Sequence, residues 1–291
     1  MALDLHQVVL QIESLVSRLR AGRREWAERL ALARQTLETA AADSPALKRK
    51  IAVGRTTYLV AGVEEGLGGA FPPPPVPRSF ATVAADGSHL TSDRHSPARC
   101  YLINIGTAHI QYGEAPAARL ASQPALYAED ADMVIPDPAG LRDEPVEGEV
   151  LGLKRTVAET QALVGLVEAA APALPVLALM DGSLILWGVA AQGFPAFVRE
   201  ALLEGGFLPA LERLRGLAAG RPLAVAAYVS RPASTDVVNA LRIALCPVDP
   251  PDCDRHCRGR DKGCSGLDRV DDRMLFEGLL GPGQRTPVFA T

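Results

Sequence analysis

Two segments of this chain run from an apolar stretch into the same three residues. Ser79-Phe-Ala-Thr-Val-Ala-Ala-Asp86-Gly-Ser88 is one, and Leu174-Pro-Val-Leu-Ala-Leu-Met-Asp181-Gly-Ser183 is the other. Each apolar run suits a buried strand, and the Gly permits a sharp exit from it. Each Asp is then expected at a rigid sheet edge with a Ser beside it. Carboxylate oxygens are hard ligands, and two so placed can converge on a divalent cation such as Mn²⁺ or Mg²⁺. Such a cation offsets the negative charge of a phosphodiester and lowers the pKa of a bound water, which is the chemistry of phosphodiester hydrolysis. Asp-Gly is also ordinary turn chemistry, so the bland reading is two turns in which each Asp caps the element that follows.

The elements around these residues set the geometry. Leu3 to Ala41 reads as one long amphipathic helix, with Val9, Ile12, Val16 and Leu19, then Trp26, Leu30 and Leu37, at helical spacing. Such a helix packs on a partner, on a second copy or on its own domain. Lys48 to Val63 reads as a second helix. Phe71-Pro-Pro-Pro-Pro-Val-Pro-Arg78 can be neither helix nor central strand and reads as a stiff extended connector. Beyond it, Phe80–Ala85 is a predicted strand. Arg99–Ile105 and His109–Tyr112 form a predicted hairpin turning at Gly106-Thr-Ala108. Glu129–Gly148 reads as loop and Val150–Ala170 as helix. Pro175–Leu179 is a predicted strand, Phe197–Ala218 a helix broken at Gly205-Gly206, and Leu223–Tyr228 another strand. Ser234–Ala244 and Asp271–Leu280 are predicted helices, the first capped by Ser234.

This order predicts an α/β fold, a ribonuclease H-like mixed sheet flanked by helices, with an N-terminal helical extension. The first strand and the strand after the first sheet-covering helix are then neighbours, which would bring Asp86 beside Asp181. The predicted division is an N-terminal helical region at 1–70, a connector at 71–78 and the sheet domain at 79–291.

Composition narrows the function classes. The chain has 291 residues, 48% hydrophobic and 22% charged, which suits a globular protein with a sizeable core. Aromatic residues make up only 5%, which disfavours a single-strand binder built on stacked rings. The formal net charge of −4 means that nucleic-acid binding must come from local patches, bound cations or a partner. Arg18, Arg20, Arg23 and Arg24 form one patch; Arg255, Arg258, Arg260 and Lys262 form another. No basic start followed by an apolar core is visible, and no apolar run spans a bilayer, so a cytoplasmic, membrane-free protein is expected.

The two Asp-Gly-Ser strands resemble those of the NurA nuclease family. So do Ala227-Tyr-Val-Ser-Arg-Pro-Ala-Ser-Thr-Asp-Val-Val-Asn-Ala-Leu-Arg242 and Asp272-Arg-Met-Leu-Phe-Glu-Gly-Leu-Leu-Gly-Pro-Gly-Gln-Arg285. The resemblance runs from about Phe80 to Phe289. It implies a ribonuclease H-like, manganese-dependent DNA nuclease, with 5′–3′ exonuclease and single-strand endonuclease activity in DNA end resection and repair. It also implies a homodimer seated on a HerA-type hexameric ATPase. By resemblance, Asp86 and Asp181 match the metal-binding aspartates and Glu159, four residues after Arg155, the acidic residue of the intervening helix. Glu168 is the alternative for that last role. Arg231 matches the Ser-Arg-Pro segment, where it could contact a phosphate or hold a carboxylate. Asn239 and Arg242 follow it. The family pattern continues past the last motif into a strand bearing a His and a Tyr. This chain is expected to lack that end, and the alternative function is an inactive scaffold that docks on a translocase. Another ribonuclease H-like enzyme, acting on RNA or a transposon end, is a weaker reading.

Cys246, Cys253, Cys257 and Cys264 are spaced C-x6-C-x3-C-x6-C, with His256 among them. Four thiolates in a short loop suit Zn²⁺ or an iron–sulfur cluster, with reduced loop thiols as the plain alternative. Cys100 is expected as a small buried residue, and His89 and His95 as loop residues near the first Asp.

Overall fold

The computed structural model describes residues 5–92, 99–191, 193–257 and 262–290. In chain order, the helices α1 (Leu5–Ala42) and α2 (Ser44–Val53) come first, followed by strands β1 (Phe80–Thr91), β2 (Tyr101–Tyr112) and β3 (Ala117–Tyr127). Then come α3 (Gly148–Ala169), β4 (Val176–Asp181), α4 (Leu208–Ala218), β5 (Leu223–Tyr228), α5 (Asp236–Leu245), α6 (Cys253–His256) and α7 (Asp272–Phe276). The chain divides into two compact units, Val76–Ser230 on one hand and Met1–Pro75 with Arg231–Thr291 on the other.

The first unit is built on a five-stranded sheet in the order β3-β2-β1-β4-β5. β1, β2 and β3 form an antiparallel meander, while β4 runs parallel to β1 and β5 parallel to β4. Three antiparallel strands, with two parallel ones added on the far side of the first, is the ribonuclease H-like arrangement, and the expected mixed α/β class holds. Alternate residues of the strands bury the core: Ala81, Val83 and Ala85 on β1, Ile103 and Ile105 on β2, Val176, Ala178 and Met180 on β4. Helix α3 covers that face with Leu151, Val157, Leu163 and Val167. The Thr160 hydroxyl sits 3.6 Å from the Met180 sulfur.

The strands depart from expectation in two places. β1 does not end at Asp86 but runs on to Thr91, paired residue by residue with β2. β2 is one continuous strand rather than a hairpin, because Gly106 lies directly opposite Asp86 and its neighbours Ile105 and Thr107 keep the ladder. The actual turn follows Tyr112, where Gly113 takes φ +113 and leaves no room for a side chain against Ser79. The partner strand β3 is exposed along nearly its whole length.

The helix expected at 197–218 does not break at its glycine pair. Residues Glu200–Phe207 widen into π-helical turns between Ala196–Arg199 and α4. Gly206 there lies so close to α3 that a Cβ would meet the Val157 methyl at 2.7 Å.

The other unit joins the two ends of the chain. Leu30, Ala33, Leu37 and Ala40 of α1 and Leu47 of α2 pack with Val237, Val238, Leu241 and Ile243 of α5. Leu267, Val270 and Leu275 complete this core. The units therefore do not follow the boundaries 1–70, 71–78 and 79–291: α5 buries Val237, Val238, Ala240, Leu241 and Ile243, and the helical N-terminal region helps to cover them. Helix α2 stops at Val53, ten residues before the expected end, because the chain turns extended at Gly54 (ψ 144) to hydrogen-bond with residues 251–253. Phe71, at the start of the proline run, exchanges two 2.9 Å backbone hydrogen bonds with Arg285. The amino half of α1 carries on the same apolar stripe, yet Val9, Ile12, Val16 and Leu19 are exposed. Among the described residues no helix is long and apolar enough to cross a membrane.

Candidate active site

The parallel pair β1 and β4 sets the site. Their register matches Ala81 with Val176 and continues to Ala85 with Met180, so the next step puts Asp86 alongside Asp181. Residues paired in this way point to the same side of a sheet. Ala85 and Met180 are buried in the core under α3, whereas Asp86 and Asp181, the next residue along each strand, are exposed. The two Asp-Gly-Ser motifs are not equivalent. At Asp181 the strand does end: Gly182 turns away with φ +99, its N–H donates to the Tyr228 carbonyl, and the Ser183 hydroxyl accepts from the Ile185 N–H. At Asp86 the strand continues, and Gly87 serves a different purpose.

Gly87 is a gap in the sheet. A Cβ built on it would lie 2.5 Å from Glu159 Oε1 and 2.8 Å from Arg155 Cγ, both on α3. The absent side chain lets the Glu159 carboxyl, which is 4% exposed, come down onto the strand and accept a hydrogen bond from the Gly87 N–H. Arg155, one turn earlier on α3, pairs with Glu159 at 3.1 Å, at an angle outside hydrogen-bond geometry. Burial pushes the Glu159 carboxyl up to about 7. Arg155 and the Gly87 N–H oppose this, while the negative charges of Asp86 and Asp181 add to it. Glu159 therefore lies within electrostatic reach of both aspartates.

His89 lies two residues beyond Gly87 on the same side of β1. Among the described residues its Nδ1 is buried with no hydrogen-bond partner, and burial first, then the Arg155 charge, hold its pKa below the ordinary imidazole value. His95 falls outside the described residues. Lys154 was not singled out from sequence; its ammonium group donates to the Tyr101 hydroxyl at 2.5 Å and lies over the Tyr127 ring at 4.7 Å. A paired aromatic stack was not legible before β2 and β3 were placed side by side.

The alternative acidic residue, Glu168, is elsewhere on α3. It is exposed and pairs with Arg213 of α4 at 2.7 Å. Arg231 is exposed and opens the segment that belongs to the other compact unit. In that unit the rest of its motif is structural in character. The buried Asn239 amide donates to the Leu59 carbonyl at 2.8 Å. Arg242 pairs with Asp268 at 2.9 Å and lies over the Tyr58 ring. Asp272 accepts from the Val238 N–H and from the Ser234 hydroxyl, capping α5.

The cysteines are all free and half-buried. Cys253 lies 3.9 Å from the Tyr58 hydroxyl, and burial, then the neighbouring thiols, push the Cys257 thiol up. Arg258 and Arg260 lie outside the described residues, while Arg255 and Lys262 are exposed.

Comparison with known proteins bears on this arrangement. The NurA domain profile matches residues 80–291, which is most of the chain. The chain belongs to the NurA family. Among solved structures it is similar to the NurA nuclease of Sulfolobus solfataricus, at 9% identity and a TM-score of 0.36, over 84% of this chain and 68% of that one. It is also similar to LC9-RNase H1, a type 1 RNase H with the type 2 active-site motif, at 11% identity and a TM-score of 0.24, over 57% of this chain and 71% of that one. No curated protein sequence matches it significantly. The NurA match takes in both Asp-Gly-Ser motifs, α3, the Ser-Arg-Pro segment and the cysteine loop.

The donor set fits a hard divalent cation in kind. It is all oxygen, it comes from two strands and a helix, and its one buried member is pressed toward neutrality first by burial, with the two aspartates adding to it. Among the described residues no group of three or more His, Cys, Asp or Glu side chains is already spaced to hold a metal ion. A cation would have to draw the carboxylates inward.

Proposed function

We propose that this chain is a divalent-cation-dependent nuclease that hydrolyses phosphodiester bonds in DNA, with Asp86, Asp181 and Glu159 at its centre. The observation that carries the reading is the approach of Glu159 to the Gly87 gap, within the electrostatic reach of both aspartates. Membership of the NurA family supports the same class of chemistry.

In this reading Asp86 and Asp181 would hold Mn²⁺ or Mg²⁺, with Glu159 as the third carboxylate of the set. The cation supplies charge neutralisation at the phosphate and a bound water of lowered pKa. Arg155 orients the Glu159 carboxyl. Glu159, pushed up to about 7, can hold a proton on an Oε atom near neutral pH or give it up when the substrate arrives. Arg231 contacts a phosphate of the DNA.

The finer features belong to the same proposal. They are a preference for Mn²⁺, 5′–3′ exonuclease and single-strand endonuclease activity, a role in end resection and repair, cytoplasmic location, a homodimer and a HerA-type translocase as partner. The bare apolar stripe on the amino half of α1 supports association with a second copy or with that partner. A non-cutting scaffold is the second reading, favoured by the carboxylates' not yet being at ligand spacing. The deciding experiment incubates the purified chain with end-labelled single- and double-stranded DNA, with Mn²⁺, Mg²⁺ or chelator. Metal-dependent shortening supports the nuclease, and DNA left intact under every condition supports the scaffold.

A further inference from the structure

Cys246, Cys253, Cys257 and Cys264 sit outside the carboxylate site and have no part in the chemistry above. Local structure brings them together. Cys246 ends α5, its N–H donating to the Ile243 carbonyl at 3.1 Å. Cys253 opens α6 and Cys257 closes it, one helical turn later, so the two side chains share a face. Cys264 leads into the 3-10 turn Ser265–Leu267.

The two limbs of the loop are held against each other and against the chain after α2. Pro247 packs on Gly263, where a Cβ would come within 3.3 Å of the proline ring. The Cys253 N–H donates to the Arg55 carbonyl at 3.0 Å, and the Arg55 N–H to the Pro251 carbonyl at 2.8 Å. Lys50 Nζ donates to the Cys246 carbonyl at 2.5 Å. These contacts gather the four thiols onto one folded loop, although among the described residues no three of them already stand at metal-ligand spacing. Cys257 lies within electrostatic reach of Cys253, Cys264 and Cys246, and Cys264 within reach of Cys246 and Cys253.

We propose that these four cysteines bind a single Zn²⁺ as a tetrahedral thiolate site that ties the end of α5 to the segment Lys50–Tyr58. Zinc–sulfur bonds are about 2.3 Å long, and a closed four-thiolate shell is the structural rather than the catalytic form of zinc binding. Each S–H gives its proton to solvent as its sulfur bonds zinc. Four thiolates against one dication leave a net double negative charge, and Arg242, which acts on Cys264, partly offsets it. Binding draws the sulfurs inward from their present spacing and tightens a segment with few apolar residues of its own. An iron–sulfur cluster would need the same thiolates, so the test separates the two.

The full chain is purified under reducing conditions without chelator, and zinc, iron and acid-labile sulfide are measured per chain. One zinc is expected. It should be lost in Cys257→Ser and in Cys264→Ser and kept in Asp86→Asn, which makes the outcome independent of whether the chain cuts DNA. Cobalt substitution should give thiolate charge-transfer absorption. Where a serine variant does not fold, thiol counting in the wild-type chain replaces it. Four thiols should be protected with zinc and reactive after chelation. Absence of zinc after incubation with it, iron with sulfide in its place, or zinc retained in the Cys257→Ser/Cys264→Ser double variant would overturn the proposal.

Discussion

Gly87 and Glu159 meet where helix α3 crosses strand β1: a Cβ at position 87 would stand 2.5 Å from the Glu159 carboxyl oxygen. The contact explains a glycine in the middle of a paired strand, where glycine ordinarily weakens the ladder. Gly87→Ala should therefore displace Glu159 and Arg155 together. Overpacking of this kind costs about 1–3 kcal/mol. The expected result is a lower urea midpoint and a loss of cleavage larger than the loss of folded protein explains. Gly182→Ala is the control. It meets nothing within 4 Å, but its φ of +99 strains any side chain, so it should cost stability without moving Glu159.

Glu159 predicts a pH dependence of stability in the metal-free protein. Its carboxyl is raised from 4.5 to about 7, so the folded state holds a proton that the unfolded chain has released. That contribution is complete below the unfolded pKa and disappears as pH rises through about 7. In chelator, the thermal midpoint should fall between about pH 4.5 and 7 and level off above that, roughly tracking this one group. Glu159→Gln should flatten the curve and raise the midpoint at the alkaline end. An unchanged slope in the variant would show that other groups set it.

Asn239 and Glu168 make opposite predictions about residues in or near family motifs. Asn239→Ala removes the 2.8 Å hydrogen bond from the Asn239 amide to the Leu59 carbonyl, a loss of about 0.5–1.5 kcal/mol. Cleavage per folded molecule should be preserved. Glu168→Gln removes an exposed pair with Arg213 and should change stability by less than about 1 kcal/mol. A large drop in DNA cleavage by Glu168→Gln would move the acidic role away from Glu159.

Much of the sheet was legible because its buried strands are short apolar runs. Val176–Asp181 and Leu223–Tyr228 were placed to within a residue or two. The place of the first of these beside β1 followed from element order, since a strand after a sheet-covering helix returns beside the first strand. The meander was harder. Gly106 reads as a turn residue, but it stands opposite Asp86 in a ladder that the neighbouring strands impose. β3, exposed on both faces, carries no alternation to detect. The grouping of the two chain ends was also hidden. It arises from contacts between α1 and α5, which no local pattern encodes. At the site, both aspartates and Glu159 could be named from motif and spacing. The reason for Gly87 could not, because it depends on how close α3 comes to the strand.

The most direct test of the central claim is Mn²⁺ binding, measured by calorimetry on the wild-type chain and on Asp86→Asn and Asp181→Asn. If the two side chains serve one cation, each substitution alone should weaken binding at least about tenfold, a cost of about 1.4 kcal/mol, and should abolish DNA cleavage. Wild-type affinity and wild-type cleavage in either variant would contradict the account.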